Sequence, residues 1–547
     1  MKKLQILNFL LLISFFGLLN IANAQTTKKP AAKKVAPNPP KVIFKKAEGP
    51  DAASNFKTKP TPPELNPNFL GRFPGSYNIK VKIKGLKNVK IYLADNFGDK
   101  QYYRDTCYLD AKGMGAFTGN PKLQRGMYMI VFPEAAGYYE LPITDDQDFS
   151  FDADTSLDDT KIKILGSLEN EAFVGYQKNR RAYGEKRFKL ENEYKKVKAD
   201  NNEDEKKRIS TLIDTLEAVD VRYRNSYSKT NPTHLLTKLF TAFKSIGIPA
   251  HDKKDSMFEY NYYKNHYWDN IDFSEDGLIR APQGLLVIKI NDYIDKISFQ
   301  DPDSLVQSVD FIINKTKPYT EINKFFIQYI TNKFQDRKIM CQDNVTVHLI
   351  NKYYCTGRTW WYDDTANLRK MCEESKKAVP TMCGRTAPDI KLMDTAGIYR
   401  TLYENLGLYT ILFYYDPTCG HCKEVIPVVQ VVHQKLKQYG IKVYAVSTEN
   451  KYDEWRDMMR KKPELNEWVN VCKTNREYNW VMNKLAYNIV SNPTLFVLDK
   501  EAKIIGKKID EYQLEFFLLS LLYEKGIVKE KPNPPLEKKE EKKPVEN

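Results

Sequence analysis

The stretch that decides the reading of this chain is Ile411-Leu412-Phe413-Tyr414-Tyr415-Asp416-Pro417-Thr418-Cys419-Gly420-His421-Cys422-Lys423-Glu424-Val425-Ile426-Pro427. An apolar, aromatic run from Leu408 to Tyr415 predicts a buried strand by its length and composition. Asp416-Pro417-Thr418 breaks it, and Cys419-Gly420-His421-Cys422 opens a helix whose apolar face continues through Val425, Ile426, Val429 and Val432. Two cysteines three positions apart at a helix start can close a disulfide. The first sits where unpaired backbone N–H groups and the helix dipole stabilise a thiolate. The pattern predicts redox chemistry at Cys419 and Cys422.

Working outward, Pro427 lies five positions after Cys422, and Pro493 stands in Val490-Ser491-Asn492-Pro493-Thr494-Leu495-Phe496-Val497-Leu498-Asp499. Upstream are Gly384-Arg385-Thr386-Ala387-Pro388-Asp389-Ile390, then Leu392 and Asp394-Thr395-Ala396-Gly397. In their order and spacing, across 383–527, these residues resemble the thioredoxin superfamily. Cys-Gly-His-Cys is the spelling used by protein disulfide isomerases. The upstream segment resembles the opening motif of TlpA/ResA-like envelope oxidoreductases and peroxiredoxins (the redoxin or AhpC/TSA-like group). The resemblance implies a C-terminal α/β thioredoxin-like fold and a thiol–disulfide oxidoreductase. Cys419 would be the exposed nucleophile and Cys422 the resolving thiol. His421 would stabilise the thiolate, and Pro493 would be a cis-proline that brings the backbone of Asn492 beside the sulfurs. No cofactor and no metal are implied. Two departures stand out. Phe413 occupies the position of the family's buried acid, with Asp416 or Glu424 as stand-ins, and Thr418 replaces the usual Trp on the substrate side.

The rest of the 547 residues predicts a multidomain protein, since that length corresponds to about three or four domains. Residues 1–24 read as a secretory signal peptide: Lys2 and Lys3, an apolar stretch from Leu4 to Leu19, and Ala22-Asn23-Ala24 as a cleavage site. A retained membrane anchor is the competing reading. No cysteine follows the run as a lipoprotein would need, and no spanning segment is expected after cleavage. The short Lys-led signal suggests a bacterial periplasm or cell envelope. Residues 25–75, rich in Pro, Lys, Ala and Asn, read as a linker, and 529–547 as a charged disordered tail.

Much of the formal net charge of +15 lies in the signal and linker, so it describes a tail rather than a nucleic-acid footprint. A cell-wall or membrane-surface role for that linker competes with a solvated spacer.

Residues 76–165 predict an N-terminal antiparallel β-sandwich. Strands are expected near 77–83, 89–93, 115–117, 128–132, 138–143 and 161–165, and the domain is given a binding or docking role. Residues 166–380 predict a central all-α domain. It opens with a helical hairpin turning at Asp200-Asn201-Asn202, and further helices follow near 232–246, 282–299, 301–315, 318–335 and 340–355. Its Asn265–Ser274 stretch and Arg280-Ala281-Pro282 resemble a helical domain of unknown function that accompanies TlpA-like domains. The thioredoxin-like domain is expected over 381–528. His348 reads as a hydrogen-bonded core histidine against a ligand, and Trp360-Trp361-Tyr362-Asp363-Asp364 as an inter-domain anchor against a partner surface. His266 with Trp268 and Asp269 has no nucleophile beside it.

Of eight cysteines (Cys107, Cys341, Cys355, Cys372, Cys383, Cys419, Cys422 and Cys472), only Cys419 and Cys422 have motif context. No second close pair supports zinc. Cys372 and Cys383 are candidates for a disulfide across Ala378-Val379-Pro380. The function expected is exchange of electrons with protein disulfides or dithiols, served by an unidentified donor or acceptor. A thiol peroxidase is a weaker fit, because Leu412 and Asp416 stand where that activity wants Pro and Thr or Ser. An envelope binding or scaffold protein with an auxiliary redox domain, or a merely structural Cys419–Cys422 disulfide, are the other readings.

Overall fold

The computed structural model of the protein describes residues 75–199, 202–251, 255, 257–337, 339–448, 452–472 and 486–534. The expected signal peptide, nearly all of the linker, most of the charged tail, and Asp200 and Asn201 of the hairpin turn lie outside the described residues. No described helix is long and apolar enough to cross a membrane. The chain forms two compact units: Met1–Ser298 with Asp310–Phe326, and Phe299–Val309 with Ile327–Asn547.

The first unit opens with a β-sandwich. Its strands are β1 (Tyr77–Lys84), β2 (Lys90–Phe97), β3 (Lys100–Tyr108), β4 (Met114–Gly119), β5 (Gly126–Val131), β6 (Tyr138–Ile143), β7 (Asp148–Asp154) and β8 (Lys163–Leu165). They make two four-stranded sheets, ordered β4-β1-β7-β8 and β3-β2-β5-β6. Alternation sends Ile79, Val81, Phe149 and Phe151 of one sheet and Leu93, Ile130 and Leu141 of the other into a shared core. One pairing departs from the antiparallel expectation, because β1 and β7 run parallel, with Ile79 opposite Phe149. Alternation fixes which face of a strand is buried and says nothing of its direction.

Helices α1 (Leu168–Ala199) and α2 (Glu203–Thr230) form the hairpin, with Asn202 capping α2 through a hydrogen bond from the Glu205 N–H. Arg187 of α1 bonds Glu217 of α2, and Tyr176 stacks with Tyr223. Beyond α3 (Leu235–Ala242) and α4 (Phe258–His266), Trp268 is buried among Phe273, Tyr293 and Phe326, so it is a core residue. His266 stays exposed, its Nδ1 2.5 Å from Asp269 Oδ2. Arg280, before α5 (Leu285–Asp292), meets the buried carboxylate of Asp95 at 3.0 Å. The boundary between the units falls inside α6 (Pro302–Lys315) and α7 (Glu321–Gln335).

The second unit continues through α8 (Asp343–Leu349) and α9 (Thr365–Ala378) into an α/β layer. Its seven-stranded mixed sheet runs β10-β9-β13-β12-β11-β14-β15. The ranges are β9 (Lys391–Met393), β10 (Tyr399–Thr401), β11 (Tyr409–Tyr415), β12 (Ile441–Ser447), β13 (Val469–Cys472), β14 (Thr494–Asp499) and β15 (Ile504–Lys507). Every residue of β11 is buried. Ile411, Phe413 and Tyr415 face one core with α10 (Gly420–Leu436), α11 (Tyr452–Lys461) and α12 (Glu511–Glu524), whereas Leu412 and Tyr414 face the other. Burial on both faces explains the unbroken apolar run. The segment Gly384–Ala387 lies along β15, with Ala387 N–H donating to Ala502 O at 2.8 Å.

The expected Cys372–Cys383 disulfide is not formed. Cys341 bonds Cys383 and Cys355 bonds Cys372, with Cα–Cα separations of 5.5 and 5.8 Å. Cys372 sits on α9, where its neighbour is the turn after α8, and spacing along the chain cannot report such packing. The Cys355–Cys372 bridge spans 17 positions, so its removal should cost about 3 kcal/mol by loop-closure entropy. The paired Cys355→Ser and Cys372→Ser substitutions should lower the urea midpoint of the second unit without changing its folded secondary structure. An unchanged midpoint would show that the bridge adds no stability.

Candidate functional site

The site begins where β11 ends. Asp416 Oδ1 accepts from the Thr418 N–H at 2.7 Å and from its hydroxyl at 2.8 Å, a local turn that reverses the chain. Cys419 is the N-cap of α10, with extended dihedrals (φ −69°, ψ 128°). Its sulfur is therefore close to the first free amides of the helix. Hydrogen bonds from the Cys422 amide, first, and from the Cys422 thiol and the His421 amide hold the Cys419 thiol below its ordinary value, against burial and the Asp416 charge. Cys419 is partly exposed; Cys422 is fully buried.

Burial pushes the Cys422 thiol up to about 12. The Asp416 N–H donates to the Cys422 sulfur at 3.4 Å. Phe413, in the acid's place, is fully buried and stacks on Tyr415. Glu424 is exposed, and the Asp416 carboxylate is engaged by Thr418 while its charge raises both thiols. Thus the buried sulfur is served by a backbone amide at this junction.

The Asn492–Pro493 peptide is cis. Asn492 Nδ2 donates to Thr448 Oγ1 at 2.6 Å, and Thr448 N–H donates to Tyr415 O at 2.8 Å. This relay ties the proline loop to the end of β11. A cavity of about 250 Å³ is lined by His421, Pro493, Thr494, Ile509 and Glu511, among others. Glu511, in the first turn of α12, puts Oε1 3.9 Å from His421 Nε2. Lys507, also lining it, is buried and pairs with Asp343 at 2.6 Å.

The structure thus collects Thr418, Cys419, His421 and Cys422 at one strand–helix junction, with Pro493 lining the same cavity as His421 and Asn492 reaching the junction through Thr448. Thr448, Glu511 and Lys507 were not singled out from sequence. Each is an ordinary polar residue beside an element end, with no motif around it. His348 is half-buried on α8, and Trp360 packs edge-on against Trp361 at 5.7 Å. Among the described residues no cluster of three or more His, Cys, Asp or Glu side chains could hold a metal ion.

Comparison with known proteins bears on the same two regions. Residues 383–507 match the AhpC/TSA family, and residues 222–378 match a domain of unknown function (DUF5106). No curated protein sequence matches the chain. Among solved structures, a domain of a possible thiol-disulfide isomerase from Cytophaga hutchinsonii is similar at 37% identity. It covers 27% of this chain and 97% of its own, with a TM-score of 0.24. A thioredoxin-like protein from Bacteroides caccae is 20% identical over 50% of this chain and 98% of its own, with a TM-score of 0.36. A thiol:disulfide interchange protein from Bacteroides sp. is 22% identical over 26% of this chain and 92% of its own, with a TM-score of 0.24.

A central buried strand, a dithiol at the following helix and a cis-proline before the antiparallel strand β14 define a thioredoxin-superfamily redoxin. The C-terminal domain belongs to that superfamily, and its residues 383–507 match the AhpC/TSA family.

Proposed function

We propose that the protein is a thiol–disulfide oxidoreductase of the bacterial envelope, acting on protein disulfides or dithiols through Cys419 and Cys422. The observation that carries this reading is the contrast between the two sulfurs. One is partly exposed and held toward thiolate at a helix start; the other is buried and held as thiol. The Cys419 thiolate attacks a partner disulfide, forming a mixed disulfide and releasing one partner thiolate. Cys422 then loses its proton and attacks Cys419, closing the intramolecular disulfide and releasing the second partner thiolate. Two electrons pass to the partner, and an external dithiol returns them. The His421 amide donates to the Cys419 sulfur, and its imidazole faces Glu511. Pro493 and the Asn492 backbone present an edge to an extended substrate segment, and Thr418 borders it. The export signal expected at 1–24 supports an envelope location, where oxidising conditions suit the two structural disulfides.

The test is a glutathione redox titration of the purified protein, with Cys419→Ser as control. A midpoint near about −270 mV identifies a reductase that needs a donor, and one near about −180 mV an oxidant or isomerase. Absence of a titrating pair that depends on Cys419 overturns the proposal.

A further inference from the structure

The outward face of the sheet β3-β2-β5-β6 carries Ala94, Met129 and Glu140 in one row across β2, β5 and β6. Its end is covered by the segment Pro282-Gln283-Gly284. That segment lies so close to the β2–β3 turn that a Cβ on Gly284 would come within 3.1 Å of Asp99 Cα and Gly98 O. Between them and α1 is a cavity of about 400 Å³, within the range of ligand pockets. Its wall includes the acids Asp99, Glu140 and Asp159, together with Tyr138, the backbone side of Tyr139, and Gln177. No lysine, arginine or histidine lines it, in a chain that has 85 Lys and Arg residues.

Three observations mark it as built for something. Glu140 is half-buried and makes no hydrogen bond or ion pair among the described residues, although acids withdrawn from water are ordinarily paired. Burial pushes its carboxyl up to about 7, and the Asp159 charge adds to this. Gln177 Oε1 is buried with no donor.

We propose that this cavity binds a small organic cation, a protonated amine, with Glu140 and Asp159 as its counter-charges. The ammonium N–H groups supply the donors that Gln177 Oε1 and the carboxylates lack, and Tyr138, on the same face of β6 as Glu140, offers a ring beside them. A neutral polyol would leave the carboxylates desolvated without a counter-charge. A metal ion is disfavoured, since the lining acids do not come together as a ligand cluster.

The groups that face Glu140 set its pH dependence. They are Tyr138 on its own strand, Gln101 on β3, Asp99 on the β2–β3 turn, Gln177 on α1, Gln283 on the covering segment and Asp159 on the turn after β7. Behind Asp159, Arg181 pairs with Asp158 at 2.9 Å. A bound cation favours the carboxylate and lowers the Glu140 pKa, so binding below about 7 must expel a proton. Affinity therefore rises with pH and levels off above it.

The test is calorimetric titration of the whole protein with spermidine, and separately with a blocked trilysine peptide, at pH 6 and pH 8. At least one probe should saturate, about tenfold more tightly at pH 8, with proton release that shows as a buffer-dependent heat. Saturation by spermidine alone identifies a free amine, and by the peptide alone a basic side chain of a partner. Glu140→Gln, with an unchanged melting temperature, should weaken binding about tenfold or more and flatten its pH dependence. If that variant does not fold, Asp159→Asn gives the same readout with a smaller loss. The proposal is overturned if neither probe saturates at millimolar concentration, if the variant binds as the native protein does, or if glucose binds equally well.

Discussion

Cys419→Ser is expected to abolish reduction of a protein disulfide, a loss of roughly four to six orders of magnitude by analogy with removal of other covalent nucleophiles. Cys422→Ser should behave differently. Its Cys419 still attacks, but nothing resolves the adduct, so a mixed disulfide with the substrate accumulates and can be isolated on a non-reducing gel. The asymmetry follows from the strand–helix junction, where only the N-cap sulfur is both accessible and held toward thiolate. Iodoacetamide should label Cys419 of the reduced protein with a half-maximal rate at a pH below that of an ordinary cysteine. Cys422, fully buried and pushed up to about 12, should stay unlabelled. Equal labelling of both sulfurs would remove the basis for assigning their roles.

The second large effect concerns stability. Asp95 is fully buried in β2 and takes Arg280 at 3.0 Å on one oxygen and Arg104 at 2.8 Å on the other. Arg280 is almost as deep, its side chain 3% exposed, while that of Arg104 is 35% exposed. Removing the carboxylate strands a buried guanidinium. Asp95→Ala should therefore cost about 3–5 kcal/mol in chemical denaturation of the first unit. Arg280→Ala should cost less, because Arg104 still neutralises Asp95. Arg104→Ala should cost least, since its charge regains water. A flat series would mean that the carboxylate is not the keystone of this junction.

How much of this was legible in the residues varies from element to element. β11 was readable because a strand buried on both faces must be apolar throughout, and Tyr409–Tyr415 is. Helices α1 and α2 were readable for a different reason, their apolar residues recurring at helical steps, although only Ile209 and Tyr227 of α2 are buried. Two strands were not anticipated. Lys100–Tyr108 is mostly exposed and alternates poorly, while Asp148–Asp154 does alternate, its Phe149, Phe151 and Ala153 masked by the aspartates between them. At the site, Cys419, Cys422 and Pro493 stand in recognisable local contexts. Glu511 and Thr448 do not, because they arrive from distant segments through packing alone. The same holds for the cysteine partners, and for the helices that divide between the two units near residues 299–326.

The disulfide pattern carries a consequence for how the chain matures. Cys355–Cys372 is nested inside Cys341–Cys383. An oxidant that joins cysteines as they emerge, first with next, would pair Cys107 with Cys341, so that 355–372 could form but 341–383 could not. Three connectivities are open to four cysteines, and only the nested one is native. The newborn protein is thus itself a client for disulfide reshuffling, and its yield of native product should follow the isomerase capacity of the host that makes it.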